Sequence, residues 1–327
     1  MRERVVYLDA AKGLAMVTIV MLHLSSFNLQ GNSATTINSF NHSFNTRLFF
    51  VLSGMVAVIA GGVNVECGLK SAFLFVKKKT RTLFIPFLIW GAGILPFLYG
   101  DNVITTFPTV LREMFLPPFN GYWFLLYLYI IQLMFLAACF LSYWLSFLVS
   151  DKFKRDVCAY VIISVLMFPI YEYALFFIIG YFLQKYGEKL LEDRIFCSIS
   201  FVLFLVLFCF VGEKEESSDT IIHFSTALTA SLFLITILWN LQRKGMLHGS
   251  FAQLLSYLGK NSLEIYLVHY YLIWICKDCL LPVSDIHAIP LYVIVFVVSI
   301  AVCWLCCKIA DILKQVPYMS MLLFGNH

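Results

Sequence analysis

Charge is what this sequence has least of. Asp, Glu, Lys and Arg make up 13% of its residues, about half the share found in soluble globular domains. A chain so poor in charge cannot solvate the surface of an ordinary soluble fold of this size. Also missing is a cleavable leader. Arg2 and Arg4 before a hydrophobic stretch give the start the look of a secretory signal. However, no small-residue cleavage site follows, and Asp9 and Lys12 interrupt the approach. The first segment is therefore expected to be an uncleaved span. No internal repeat is visible, which weighs mildly against the paired halves of many transporters. Two CxxC spacings occur, Cys276/Cys279 and Cys303/Cys306, the latter followed by Cys307. No histidine or carboxylate stands ready to complete a shared metal site, so these cysteines read as small apolar packing residues.

What is present instead is hydrophobicity, at 61% of the residues and a mean hydropathy of +0.86. It recurs in blocks long enough to cross a bilayer. Reading those blocks between charged or Gly/Pro-rich breaks gives ten expected spans. They are roughly 5–27, 46–63, 82–99, 122–149, 157–171, 173–185, 195–212, 220–241, 258–280 and 289–310. The fifth and sixth meet at Pro169-Ile-Tyr-Glu172-Tyr and are either two short spans or one broken pair. The fold class expected is all-α, a polytopic membrane helix bundle of about ten transmembrane helices forming a single domain over 1–327. Lysine and arginine set the orientation. With both termini cytoplasmic, 18 of the 23 cations fall inside, while the outer loops hold only Arg112, Lys214 and Lys277. Losing one span would scramble that asymmetry.

Ionisable residues inside such spans are costly and point to function. His23 lies near the outer end of the first span, and histidine is the side chain best suited to exchange a proton near neutral pH. Asp9 and Lys12 sit fourteen and eleven residues earlier, the former about 21 Å away along a helix. They share the stripe of Met16, Val20 and His23 but cannot orient the imidazole. The bland reading of His23 is a histidine satisfied by a nearby carbonyl. Arg47, near the outer start of the returning span, is expected at a similar depth. It suits either an oxyanion or a hydroxyl-rich ligand, or else snorkels to the interface. Between them, Asn28 to Thr46 reads as an outer loop rich in Asn, Ser and Thr, with no charge before Arg47. Such groups fit a neutral polyol or an ordinary solvated loop.

Trp123, in Tyr122-Trp123-Phe124, is a stacking platform for a sugar or a member of the interfacial aromatic belt. Lys77-Lys78-Lys79-Thr80-Arg81 is a cytoplasmic cation cluster that would attract phosphates and anionic lipid alike. In the ninth span, Ser262, Tyr266 and His269 share a face by 4 + 3 spacing, with Glu264 roughly two turns inside the membrane and His269 near the midplane. Some of these groups serve as interhelical glue in the bland reading.

Taken in order, these motifs resemble the acyltransferase-three family of bacterial multi-pass membrane acyltransferases. The match runs through Leu8-Asp9-Ala-Ala-Lys12-Gly13 and His23, Leu48-Phe49-Phe50-Val51-Leu52-Ser53-Gly54, Lys78 with Arg81, Trp123-Phe124, Phe176-Phe177-Ile-Ile-Gly180-Tyr181, and Leu258-Gly259-Lys260-Asn261-Ser262-Leu-Glu264-Ile-Tyr266-Leu-Val-His269. The resemblance implies a membrane-only member that moves an acyl group, usually acetyl, from cytoplasmic acyl-CoA to a hydroxyl of a cell-surface or lipid-linked carbohydrate. It implies His23 as general base or acyl relay, with Arg47 beside it. Lys78, Lys79 and Arg81, with Ser262, Glu264 and Tyr266, would bind the donor, and Asp9, Lys12, Trp123, Glu172 and His269 the substrate. Lys78 departs from the family's usual Arg-x-x-Arg and loses bidentate phosphate binding. Acetyl-CoA is expected as a donor substrate, not as a resident cofactor, and no metal is expected. The partners expected are the carbohydrate or glycolipid acceptor and lipid of a bacterial inner membrane, with no nucleic acid. The competing expectation is a transporter or flippase for a sugar or lipid intermediate, working without bond chemistry.

Overall fold

The computed structural model describes residues 5–60, 68–99, 115, 122–165, 171–211, 220–276, 281–283 and 287–325. Arg2, Arg4, Arg112, Lys214, Lys277, Cys279 and the break at Pro169 lie outside the described residues. The chain is an all-α membrane protein, and the described parts of the expected blocks are mostly helical. Helix α1 spans Val6–Asn28, and a two-residue strand β1 (Leu29–Gln30) turns the chain into α2 (Asn32–His42) and α3 (Asn45–Ile59). There follow α4 (Gly68–Lys79), a π-helical turn at Thr80–Phe84, and α5 (Ile85–Tyr99). Then come α6 (Trp123–Trp144), α7 (Lys152–Val165), α8 (Tyr171–Tyr186), α9 (Glu188–Glu192), α10 (Arg194–Val211) and α11 (Thr220–Arg243). The last elements are α12 (Ser250–Lys260), α13 (Ser262–Ile275), strand β2 (Leu281–Pro282), α14 (Ala288–Leu313) and α15 (Pro317–Phe324). Among the described residues, five stretches are long and apolar enough to cross a membrane: Val6–Asn28, Asn32–Ile59, Trp123–Phe147, Ile221–Arg243 and Ala288–Leu313.

The expected outer loop at Asn28–Thr46 is instead mostly helix α2. Asn, Ser and Thr normally favour turns because their side chains compete for backbone groups. Here the hydroxyls bond back along the helix, Thr36 Oγ1 to the Asn32 carbonyl at 3.1 Å and Ser43 Oγ to the Phe40 carbonyl at 2.7 Å. Ala34 and Ile37 meanwhile pack in a core cluster with Met21, Val283, Leu291 and Val295. Tertiary burial of that stripe outweighs local propensity. The ninth block differs too, because it breaks at Asn261 into α12 and α13.

The chain forms two compact units. The first comprises residues 1–58 and 179–310. Its centre is α1, buried on nearly every face from Tyr7 to Met21. Packing there depends on missing side chains. A Cβ on Gly13 would stand 1.9 Å from the Leu255 carbonyl oxygen, and one on Gly259 would stand 1.7 Å from that of Asp9. The two backbones cross at a separation only glycine permits. Gly180 does the same against the Val51 carbonyl, at 1.9 Å. At its start, α1 is held by Tyr7, whose N–H donates to Gln242 Oε1 at 2.6 Å and whose hydroxyl donates to Gln184 Oε1 at 2.8 Å. At its end, Asn28 Nδ2 donates to the Cys276 carbonyl at 2.6 Å, and β1 pairs in parallel with β2.

The second unit comprises residues 59–178 and 311–327. Its π turn precedes Pro86, which has no N–H to donate and whose ring crowds the carbonyl four residues back, so the helix widens there. Thr80 Oγ1 meets the Tyr129 hydroxyl at 2.8 Å, and Trp90 Nε1 donates to the Leu323 carbonyl at 2.8 Å. Ser142 joins α6 to α7 through Asp156 Oδ1 at 2.6 Å. The eight described cysteines form no disulfide, and among the described residues no cluster of three metal-ligating side chains occurs.

Candidate functional site

His23 sits five residues before the end of α1, half-buried and therefore reachable. Its ring centroid is 5.3 Å from that of His269 on α13, 5.5 Å from Tyr270 and 5.8 Å from the stacked Phe27. Trp274 extends the same aromatic wall, 5.7 Å from Phe27 and 6.1 Å from Tyr270. His269 itself is 1% exposed. Its Nδ1 lies 2.9 Å from the Ile265 carbonyl, which can only accept, so Nδ1 carries the proton. That leaves Nε2 as a bare acceptor, buried and without a protein partner. A fixed tautomer with an unused lone pair next to a reachable imidazole is an arrangement that can orient a proton-transferring histidine.

His42 stands within electrostatic range of His23 as well. It ends α2, beside the two-residue interruption at Ser43–Phe44 that separates α2 from α3. Arg47, on the first turn of α3 and 6% exposed, reaches back so that Nη1 donates to the His42 carbonyl at 3.4 Å. Two asparagines flank that break, Asn41 in the last turn of α2 at 0% and Asn45 at the start of α3 at 1% exposure. Asn45 Oδ1 accepts the Thr46 N–H at 2.6 Å, yet Asn45 Nδ2 and both amide atoms of Asn41 meet no protein partner. A buried polar group left so costs about 1–3 kcal/mol.

The other expected site residues fall into separate groups. Ser262, Glu264 and Tyr266 lie on α13 below His269; Ser262 is half-buried, Glu264 and Tyr266 are buried, and Tyr266 is 5.8 Å from the His269 ring. Asp9 and Lys12 lie a turn apart near the start of α1, at the crossing with α12 and far along the helix from His23. Lys78, Lys79 and Arg81 belong to the second unit, at the junction of α4 with the π turn. Lys78 is exposed, whereas Lys79 is half-buried over the Phe75 ring at 5.4 Å. Burial, and then the Lys78 ammonium, push Lys79 down to about 8. Trp123 and Glu172 are also in the second unit. Trp123 packs 5.3 Å from Tyr173 and 5.4 Å from Tyr127, so the start of α8 brings Glu172 beside an aromatic cluster.

Sequence reasoning missed the amide pair. Its signal was present: Ala34, Ile37 and Asn41 follow a helical 3 + 4 spacing within a segment whose composition says loop. It also placed Arg47 as the charged neighbour of His23 and His269 at another level, whereas the two imidazoles lie together.

The family model described as an acyltransferase domain matches residues 5–308. No curated protein and no solved structure matches the chain.

Proposed function

This chain belongs to the acyltransferase-three family, and on that premise we propose that it transfers an acyl group, acetyl in the simplest case, from acyl-CoA to a carbohydrate hydroxyl. That the chain is an acyltransferase of the membrane type follows from the family. The observation that carries the proposal is the contact between His23 and His269, because it pairs a reachable base with a tautomer-fixed partner inside a membrane bundle.

In this reading His23 takes the proton of the acceptor hydroxyl. The hydroxyl oxygen forms an ester bond to the acyl carbon, the carbon–sulfur bond of the thioester breaks, and the proton leaves with the CoA sulfur. The unoccupied Nε2 of His269 is available to accept from the neighbouring His23 ring and so to hold its orientation. Arg47 or a backbone N–H stabilises the oxyanion. A covalent acyl-His23 relay is the variant of the same scheme. Lys78, Lys79 and Arg81 hold donor phosphates, with Ser262, Glu264 and Tyr266 on the donor side of His269. Asp9, Lys12, Trp123 and Glu172 contribute to substrate handling. The whole chain acts as one acyltransferase domain of about ten spans with both termini cytoplasmic, in a bacterial inner membrane.

Membranes carrying the His23→Ala variant should transfer no labelled acetyl from acetyl-CoA to endogenous glycolipid while containing normal amounts of inserted protein. Near-normal transfer by that variant would overturn the assignment of His23. The interruptions at Ser43–Phe44 and Asn261 are of a kind that transporters also use. Movement of a glycolipid across vesicles without CoA, and without acetyl transfer, would favour transport instead.

A further inference from the structure

The break between α2 and α3 presents hydrogen-bonding capacity that the fold leaves unused. Asn41 continues the inward row of α2 begun by Ala34 and Ile37, both packed in the core. It replaces apolar packing with an amide whose Nδ2 and Oδ1 both lack protein partners. Asn45 stands across the interruption, its Oδ1 engaged by Thr46 and its Nδ2 unanswered. Buried side-chain amides left so, at the facing ends of two helices, mark places where a ligand or water completes the bonding.

The position on α1 is also fixed. Ser25 hydrogen-bonds Asn38 where α2 folds back along α1. Two residues down α1, and about 200° round it on the side of His269, is His23; three residues along α2 is Asn41. At 1.5 Å per residue both lie a few ångströms below that contact. The side chain next to Asn41, His42, is within electrostatic range of His23.

The chemistry of the unused atoms selects a ligand class. Two amide nitrogens offer donors, and Asn41 Oδ1 offers an acceptor. A hydroxyl donates and accepts at once, so a vicinal pair of hydroxyls would answer all three atoms. A phosphate or carboxylate only accepts and would meet Asn41 Oδ1 with repulsion. A cation would leave both nitrogens without an acceptor. We propose that Asn41 and Asn45 form the acceptor subsite, binding hydroxyl groups of a neutral sugar at the level of His23. The catalytic meaning of this subsite rests on the acyltransferase reading; the binding does not.

The test uses full-length protein in lipid nanodiscs, with methyl glucoside, methyl galactoside and methyl N-acetylglucosaminide as probes and sodium phosphate as the anionic control. At least one glycoside should raise the Tm of the wild type, and phosphate should not. Asn41→Leu keeps the volume and removes the unanswered amide, so it should raise Tm without sugar and abolish the shift with it. Asn45→Asp keeps the acceptor for Thr46 and should abolish the shift too. In transfer assays with the same glycoside, the acceptor KM should rise at least tenfold in Asn41→Leu. The subsite is overturned if no glycoside shifts the wild type, if the variants retain the shift, or if Asn41→Leu lowers Tm as a structural or water-bonded amide would require. Loss of the shift in both variants, with no acetyl transfer by the wild type, would uphold the subsite and sink the acyltransferase reading. Wild-type transfer with an unchanged acceptor KM in Asn41→Leu would do the reverse.

Discussion

Lys79 illustrates how one side chain carries a pH dependence into function. Its folded-state pKa, pushed down to about 8 by burial and by Lys78, lies below the ordinary lysine value. It is therefore neutral in the folded protein at pH values where an unfolded lysine is still charged. Two consequences have definite sign. Fold stability gains from this group as pH rises from about 8 towards the ordinary lysine value, because the unfolded chain binds the extra proton. In the proposed donor site, binding of an anionic donor would move the other way, since the cation is lost above about 8. The KM for acetyl-CoA should hold steady below pH 7 and climb above pH 8, and Lys79→Arg should remove that climb. A flat profile in the wild type would remove Lys79 from the donor site. Residues differ in how visible they are in sequence. His23 was legible because an imidazole in an apolar run has no cheap explanation. Its pairing with His269 was not, because 246 positions separate them and depth along a helix is only a coarse coordinate. Asn41 was invisible because asparagine is the ordinary vocabulary of loops.

At the scale of elements, the crossing of α1 with α12 explains why glycine stands in two of the chain's motifs. With a Cβ falling 1.9 Å from the Leu255 oxygen at Gly13 and 1.7 Å from the Asp9 oxygen at Gly259, neither neighbour can yield without moving backbone. Gly13→Ala or Gly259→Ala should destabilise by at least about 1–3 kcal/mol, the usual cost of overpacking. Because α1 carries His23, activity should fall together with Tm, as read by thermal denaturation in nanodiscs beside the transfer assay. An unaltered Tm for Gly13→Ala would contradict the crossing. These glycines were legible as motif members, yet their purpose was not, since one chain's spacing cannot tell a glycine for close approach from one for a turn. The long apolar blocks were legible as helices from length and hydropathy alone. Helix α2 and the break at Asn261 were not, because both depend on tertiary packing that local propensity does not encode.

Across the whole molecule, the surface is as apolar as the sequence implies. Helices α10 and α14 turn out Ile195, Ile199, Val202, Phe210, Ile289, Val293 and Val297, a pattern that lipid covers at no cost and water would not tolerate. Hydroxyls within the helices bond to their own carbonyls, as Ser231 does to Ala227 and Ser299 to Val295, each at 2.7 Å. The proposed count of about ten spans, with both termini cytoplasmic, predicts that green fluorescent protein fused after residue 327 fluoresces. Alkaline phosphatase fused after Ser43 should be active, reporting the outer side. An inactive phosphatase at Ser43, or a dark carboxyl-terminal fusion, would call for an odd count or the opposite orientation. The parallel pairing of β1 with β2, and the bond from Asn28 to Cys276 across 248 positions, set a timetable as well. Helix α1 leaves the ribosome well before its partners in α11, α12 and α13, which lie far downstream in the chain. At about 5–20 residues per second, Asp9, Lys12 and His23 must wait on the order of tens of seconds in the bilayer before their native neighbours exist. Shelter of the nascent first helix by the insertion machinery is thus a requirement of this topology.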